Sequence, residues 1–169
     1  NLEKTLHHIQ STYYKTKGAV TSAMRLTLEE LNLQLLRQND LVLQKQSTPE
    51  TDARNLGIPI TIAVLRITQN TPPTLFIAQC GQSQIVHISS KTVQRIYDPQ
   101  RSGFGLGVSR SLPIHFLQVP AQAGDYLLWI PSLTIPWKAP ILQAIHGLAL
   151  EKAHHHFLDK NNYDHLSAN

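Results

Sequence analysis

The chain has 169 residues, 41% of them hydrophobic and 15% charged, with a formal net charge of +4. That length suits one domain with a sizeable core, and that composition suits a globular protein rather than a disordered one. No apolar run approaches the ~18 residues of a membrane span, and the basic residues are scattered without interleaved aromatics, which argues against nucleic acid as a partner.

The first predicted element is a helix over Leu2–Tyr14. Gly18 breaks the chain, and a second helix is expected from about Ala19 to Asn39. There Val20, Met24, Leu28, Leu31 and Leu35 recur at spacings of three and four and form one apolar stripe. Asn39 and Asp40 make its expected end. The stretch Gln46–Gly57, with Pro49, Asp52 and Asn55, reads as a polar loop. All ten prolines lie beyond residue 48, and from Ile58 the texture changes to short strands rich in β-branched and aromatic residues. Strands are expected over Ile58–Thr68, Leu75–Cys80, Ile85–Ser89, Thr92–Tyr97, Pro113–Val119 and Asp125–Ile130. Turn signals separate them at Asn70–Pro73, Gly81–Gln82, Ser89–Lys91, Asp98–Pro99 and Ala123–Asp125. Such close spacing leaves no room for crossover helices, so the sheets are expected to be mostly antiparallel. A closing helix is expected from Pro140, with Leu142, Ile145, Ala149, Ala153 and Phe157 on one face.

Within this pattern Leu75–Val86 reads Leu-Phe-Ile-Ala-Gln-Cys-Gly-Gln-Ser-Gln-Ile-Val. It resembles the strand–turn–strand of the type 2C metal-dependent protein phosphatases, usually apolar-x-Val-Ala-x-x-Gly-Asp-Ser-Arg. Further segments follow in the family's order. The second helix resembles the family's first long helix, and Ile58–Leu65 stands in the place of its Gly-Thr-Thr-Ala strand. Val93–Asp98 resembles the strand before a Thr-x-Asp-His turn, with Asp98 kept and Pro99 in the histidine position. Phe104–Gly107 resembles a small loop ending in Leu-Gly. Ala123–Leu133 resembles the Pro-Gly-Asp strand that ends in Ser-Asp-Gly, and Tyr163–Ala168 resembles the closing Asp-Asn-Ile-Thr strand.

The resemblance implies a sandwich of antiparallel sheets with helices outside. In active members it also implies two divalent metals bridged by aspartates, because Mg²⁺ and Mn²⁺ prefer hard anionic oxygen ligands. This sequence departs from that requirement. Gln82 replaces one acid, and Pro131 falls at or beside the aspartate of Ser-Asp-Gly. The family's Asp-Gly-His-Gly-Gly motif and the acidic strand before it have no counterpart, since the chain begins at the following helix. Between Ala53 and Leu150 the only carboxylates are Asp98 and Asp125, both at turns. By the resemblance Asp164 falls at the family's last metal ligand and is a weak candidate metal position; a lone carboxylate binds Mg²⁺ weakly, which favours a bond to a turn backbone instead.

Other constellations carry less chemistry. Cys80 is the sole cysteine, which excludes an internal disulfide, and its place at a strand end suits a buried inert thiol. His154, His155 and His156 lie near His146 and His165, but neighbours on a helix point about 100° apart and no His-x-x-x-His pair occurs, which suits a surface cluster. Ser83 is followed by a strand, unlike a nucleophile elbow. Gly103–Gly107 precedes no helix that would hold a phosphate, and reads as a tight loop.

The sequence therefore reads as an α+β fold: antiparallel β-sheets flanked by helices, a reduced sandwich of the type 2C phosphatase kind, forming a single truncated domain over residues 1–169. The expected function is a non-catalytic pseudophosphatase domain with a regulatory or protein-interaction role, cytoplasmic, with no cofactor and no catalytic residue. Its expected partner is a protein, or a second copy bound through a sheet edge. Two alternatives stand beside it. One is a phosphatase whose Mg²⁺ or Mn²⁺ site is completed by sequence outside this fragment. The other is an unrelated small α+β binding module.

Overall fold

The computed structural model describes residues 2–45, 57–130 and 139–156. Two helices open the chain, α1 (Leu2–Lys15) and α2 (Val20–Lys45), separated by Gly18 at a left-handed φ of 124°. The strands β1 (Ile60–Thr68), β2 (Thr71–Cys80), β3 (Gln84–Ile88) and β4 (Val93–Ile96) follow. A single helical turn, α3 (Pro99–Ser102), precedes β5 (His115–Pro120), β6 (Tyr126–Ile130) and the short α4 (Ala139–Gln143). A further helical stretch covers 150–156.

The chain is mixed α+β, and its described residues form two antiparallel three-stranded sheets of order β1-β2-β5 and β4-β3-β6. Side-chain alternation along the strands builds three apolar layers. Met24 and Leu28 of α2 and Tyr13 of α1 pack on Phe76 and Ala78, covering the outer face of the first sheet. Ile77, Ile85, Ile96 and Val119 fill the space between the sheets. Leu142, Ile145 and Ala153 cover Val86 and Ile88 on the outer face of the second sheet. Helix, sheet, sheet and helix thus stack in that order. Met24 and Leu28 are fully buried, and each such side chain stabilises the fold by about 2–3 kcal/mol relative to exposure.

Four elements differ from the sequence reading. Helix α2 runs six residues past Asn39, because the Asn39 amide does not cap the helix. Its Nδ2 donates instead to the carbonyl of Gly107 (2.9 Å), a tertiary bond that keeps the backbone helical. The hairpin turn between β1 and β2 is only Gln69–Asn70, with Asn70 at a φ of 69°, and Pro72 and Pro73 lie inside β2. A bulge between Arg66 and Thr68 opposes those prolines, which have no N–H for the ladder. Asp98 and Pro99 open α3 rather than a plain turn. The expected closing helix is broken at Gly147 (φ 74°), whose N–H donates to the Gly124 carbonyl at 3.1 Å. Leu142, Ile145 and Ala153 nonetheless share one apolar cluster. Phe157 and the expected loop over 46–56 lie outside the described residues.

Helix α2 also holds the glycine loop. Asn32, 1% exposed, accepts from the Gly107 N–H (2.7 Å) and donates to the Ser109 carbonyl (2.9 Å). With Asn39 seven residues on, the same helix face grips Gly107 at both its N–H and its carbonyl. Replacing Asn32 by Ala strands a buried N–H and a carbonyl, and urea unfolding should show a loss of about 2–3 kcal/mol. Asn39→Ala, at a half-buried site, should cost about 1 kcal/mol.

Candidate functional site

The β2–β3 turn carries the resemblance, and it is closed by backbone. Gly81 sits at a φ of 84°, and a Cβ there would lie 2.8 Å from Pro59 Cα and 2.9 Å from Gly105 Cα. A Cβ on Gly105 would in turn lie 2.7 Å from the Ile58 carbonyl oxygen. Three chain segments therefore touch at this end of the sandwich with no side chain between them. The Gly81 N–H donates to the Ser102 carbonyl. Gln79, wholly buried, donates from Nε2 to the carbonyls of Ser83 (3.2 Å) and Ile96 (3.3 Å). The Ser83 and Thr61 hydroxyls share a bond of 2.8 Å. Gln82 itself is exposed and takes none of these bonds. The amide that ties the turn is Gln79, two strand residues upstream of Gly81.

The neighbouring groups are engaged in the same way. In the Gly103–Gly107 loop, the Leu106 N–H donates to the Ile58 carbonyl (2.9 Å) and the Gly107 N–H to Asn32, so neither is available to an anion. Asp98 caps α3: Oδ1 accepts from the N–H of Gln100 (3.0 Å) and of Arg101 (3.3 Å), and Oδ2 lies 3.3 Å from Arg101 Nε. Asp125 stands at the other end of the second sheet. Ile85 pairs with Ile96 near the β4 end, whereas Ile88 pairs with Tyr126 at the start of β6. The two carboxylates are therefore not brought together. Among the described residues no group of three His, Cys, Asp or Glu could hold a metal ion. Pro131, Asp164 and His165 lie outside the described residues.

The polar cluster that the sequence did not reveal surrounds Asp125. His87 Nε2 lies 3.0 Å from Asp125 Oδ2, which also accepts from the Gln122 N–H at 2.9 Å. His146 Nε2 lies 3.4 Å from Oδ1, within ion-pair reach but without hydrogen-bond geometry. The His87 and Asp125 side chains are only 7% and 9% exposed. His87, Asp125 and Lys91, with Gln94 and Val119, line a cleft of about 280 Å³ between the sheets. Chemically, the carboxylate orients His87 and ties the β5–β6 turn to β3 and to the break after α4. The one signal is a histidine at an inward position of β3, on the same face as Ile85. The sequence places His146 near His154–His156, yet the break at Gly147 separates it from them. His154 and His155 have ring centroids 6.1 Å apart.

Cys80 is fully buried, and burial pushes its thiol up to about 11 against a smaller opposing pull from the Gly105 backbone hydrogen bond. Among the described residues no helix is long and apolar enough to cross a membrane. No protein-family model, no curated protein and no solved structure matches this chain.

Two outcomes follow from this geometry. At pH 8 the native protein should resist iodoacetamide, since the thiol is neutral well below a pKa of about 11, and should react at Cys80 only once denatured. Asp125→Ala should cost about 2–3 kcal/mol in thermal or urea unfolding, because it strands buried His87 and the Gln122 N–H. Asp98→Ala, a half-exposed cap, should cost about 1 kcal/mol.

Proposed function

We propose that this chain is a non-catalytic, type 2C phosphatase-like domain that serves regulation or assembly by binding other polypeptides. One observation carries the reading. The Gly81–Gln84 turn, which carries the resemblance, holds neutral groups where the family has carboxylates, and it is tied by the Gln79 Nε2 donor and the Thr61–Ser83 hydroxyl pair. A dinuclear site needs several anionic oxygens converging on two cations. Asp98 spends both oxygens on α3, and Asp125, at the opposite end, spends Oδ2 on His87 and the Gln122 N–H with His146 3.4 Å from Oδ1. Binding is supported by what stays open: sheet edges with half-exposed apolar side chains, Leu65 on β1 and Trp129 on β6.

The test is hydrolysis of p-nitrophenyl phosphate with millimolar Mn²⁺. No turnover is expected from the wild type. Gln82→Asp should fold normally and stay inactive, since one added carboxylate on an exposed turn leaves the other ligands missing. Metal-dependent turnover that disappears in Asp164→Ala would overturn the proposal and favour a phosphatase.

A further inference from the structure

A groove of about 290 Å³ runs between α1 and β1, lined by Ile9, Tyr13 and Tyr14 of the helix and by Ile62, Val64 and Leu65 of the strand. Strand β1 pairs with β2 on one side, and among the described residues no strand pairs with its other side. In an antiparallel ladder every second residue turns its N–H and C=O away from its partner strand. The outer edge of β1 therefore presents a row of backbone donors and acceptors beside an apolar groove. Proteins blunt such edges with prolines, charges or bulges. Here the bulge falls at Arg66–Thr68 and Arg66 is the one charge on the strand, so residues 60–65 are unguarded. Tyr14 is 81% exposed, Leu65 51% and Ile67 72%.

Among the described residues, the charged side chains that adjoin the groove-lining residues in the sequence are basic. Lys15 and Lys17 follow directly on Tyr14, and Arg66 follows Leu65 with its guanidinium 5.7 Å from the Phe76 ring, on the helix side of the sheet. No acidic residue occurs between Glu3 and Glu29, or between residues 57 and 97. Glu29 and Glu30 on α2 face Arg25 (3.8 Å) and His8 (3.4 Å), and Glu30 also accepts from the Thr12 hydroxyl. Among the described residues no carboxylate forms an ion pair with Lys15, Lys17 or Arg66, so an incoming chain meets these cations where the groove ends. A second copy would bring its own Arg66 and no acid in β1, which leaves those cations unanswered.

We propose that the outer edge of β1 docks an extended segment of another protein, with apolar residues at alternate positions and carboxylates where it passes Lys15, Lys17 and Arg66. The inference rests on the binding reading above and specifies its partner. The added strand takes its main-chain bonds from β1. Alternate side chains enter the groove under α1, and the carboxylates set register and direction.

Labelled peptides alternating valine and threonine, ending in two aspartates or two lysines at either terminus, test this by fluorescence anisotropy and backbone hydrogen exchange. The aspartate-ended peptide should bind, should slow exchange across residues 60–65, and should weaken as salt rises. Lys15→Glu with Lys17→Glu, both exposed and expected to melt as the wild type does, should weaken it about tenfold and improve the lysine-ended peptide. Equal binding of both peptides, binding without protection of β1, or no binding overturns the proposal. So does a peptide-free dimer that protects β1, which would assign the edge to a second copy. Phosphatase turnover on the same preparation would instead remove the non-catalytic reading, so the two failures are told apart.

Discussion

The crossing from β2 to β3 is the constraint on which the stacking of the sheets depends. In three residues, 81–83, the chain leaves one sheet and enters the other. It does so where Gly81, Pro59 and Gly105 touch through backbone atoms. Any side chain at Gly81 would push those segments apart where the chain passes from one sheet to the other. The cost would appear in the layer between them, where Ile77, Ile85, Ile96 and Val119 are packed to under a tenth exposed. Close packing transmits a displacement of that size, because a gap of even 1 Å forfeits much of the dispersion energy along its lining.

Polar ties at both ends of this apolar layer fix its register. Gln79 bonds the carbonyls of Ser83 and Ile96 at one end, and His87 meets Asp125 at the other. Both side chains point inward, on the same strand faces as Ile77 and Ile85. A slip of one residue would turn them onto the helix-covered faces and bury them without partners, a loss of several kcal/mol. Hydrophobic pattern alone tolerates more error than these buried bonds do. Helix α2 contributes the same kind of specificity from outside, since Asn32 and Asn39 accept only one placement of Gly107.

Much of the fold was legible because it follows from periodicity. The stripe from Val20 to Leu35 identified α2 and its buried face, and the β-branched runs separated by turn residues located six strands. Two of the errors share a cause: a local signal is overridden by a distant partner. Asn39 resembles a helix end until its amide finds Gly107. Gly147 looks tolerable within a helix until its N–H finds Gly124. The prolines at 72 and 73 suggested a turn, but the strand absorbs them beside a bulge. The candidate site was less legible. Gln82 was singled out by its place in a motif, whereas Gln79 does the bonding, and alternation marked Gln79 only as one more inward residue. The pairing of His87, Asp125 and His146 joins positions far apart in the chain, and no spacing rule connects them.

What remains open on the surface follows from this economy of bonds. The backbone at the β2–β3 end is consumed by the glycine loop and α3, so unspent main-chain hydrogen bonding lies along the sheet edges. Those edges are not equivalent. β4 is four residues long with exposed Gln94 and Arg95, and β5 ends at Pro120. β6 is five residues long and carries Trp129. β1 is nine residues long, bears one charge, and stands beside an apolar groove. A row of unpaired groups favours an added strand in proportion to the bonds it can form, and the adjoining apolar surface adds ~25 cal/mol for each Å² covered. Among the described residues length and apolar cover coincide only at β1, which is why the proposed docking edge lies beside α1.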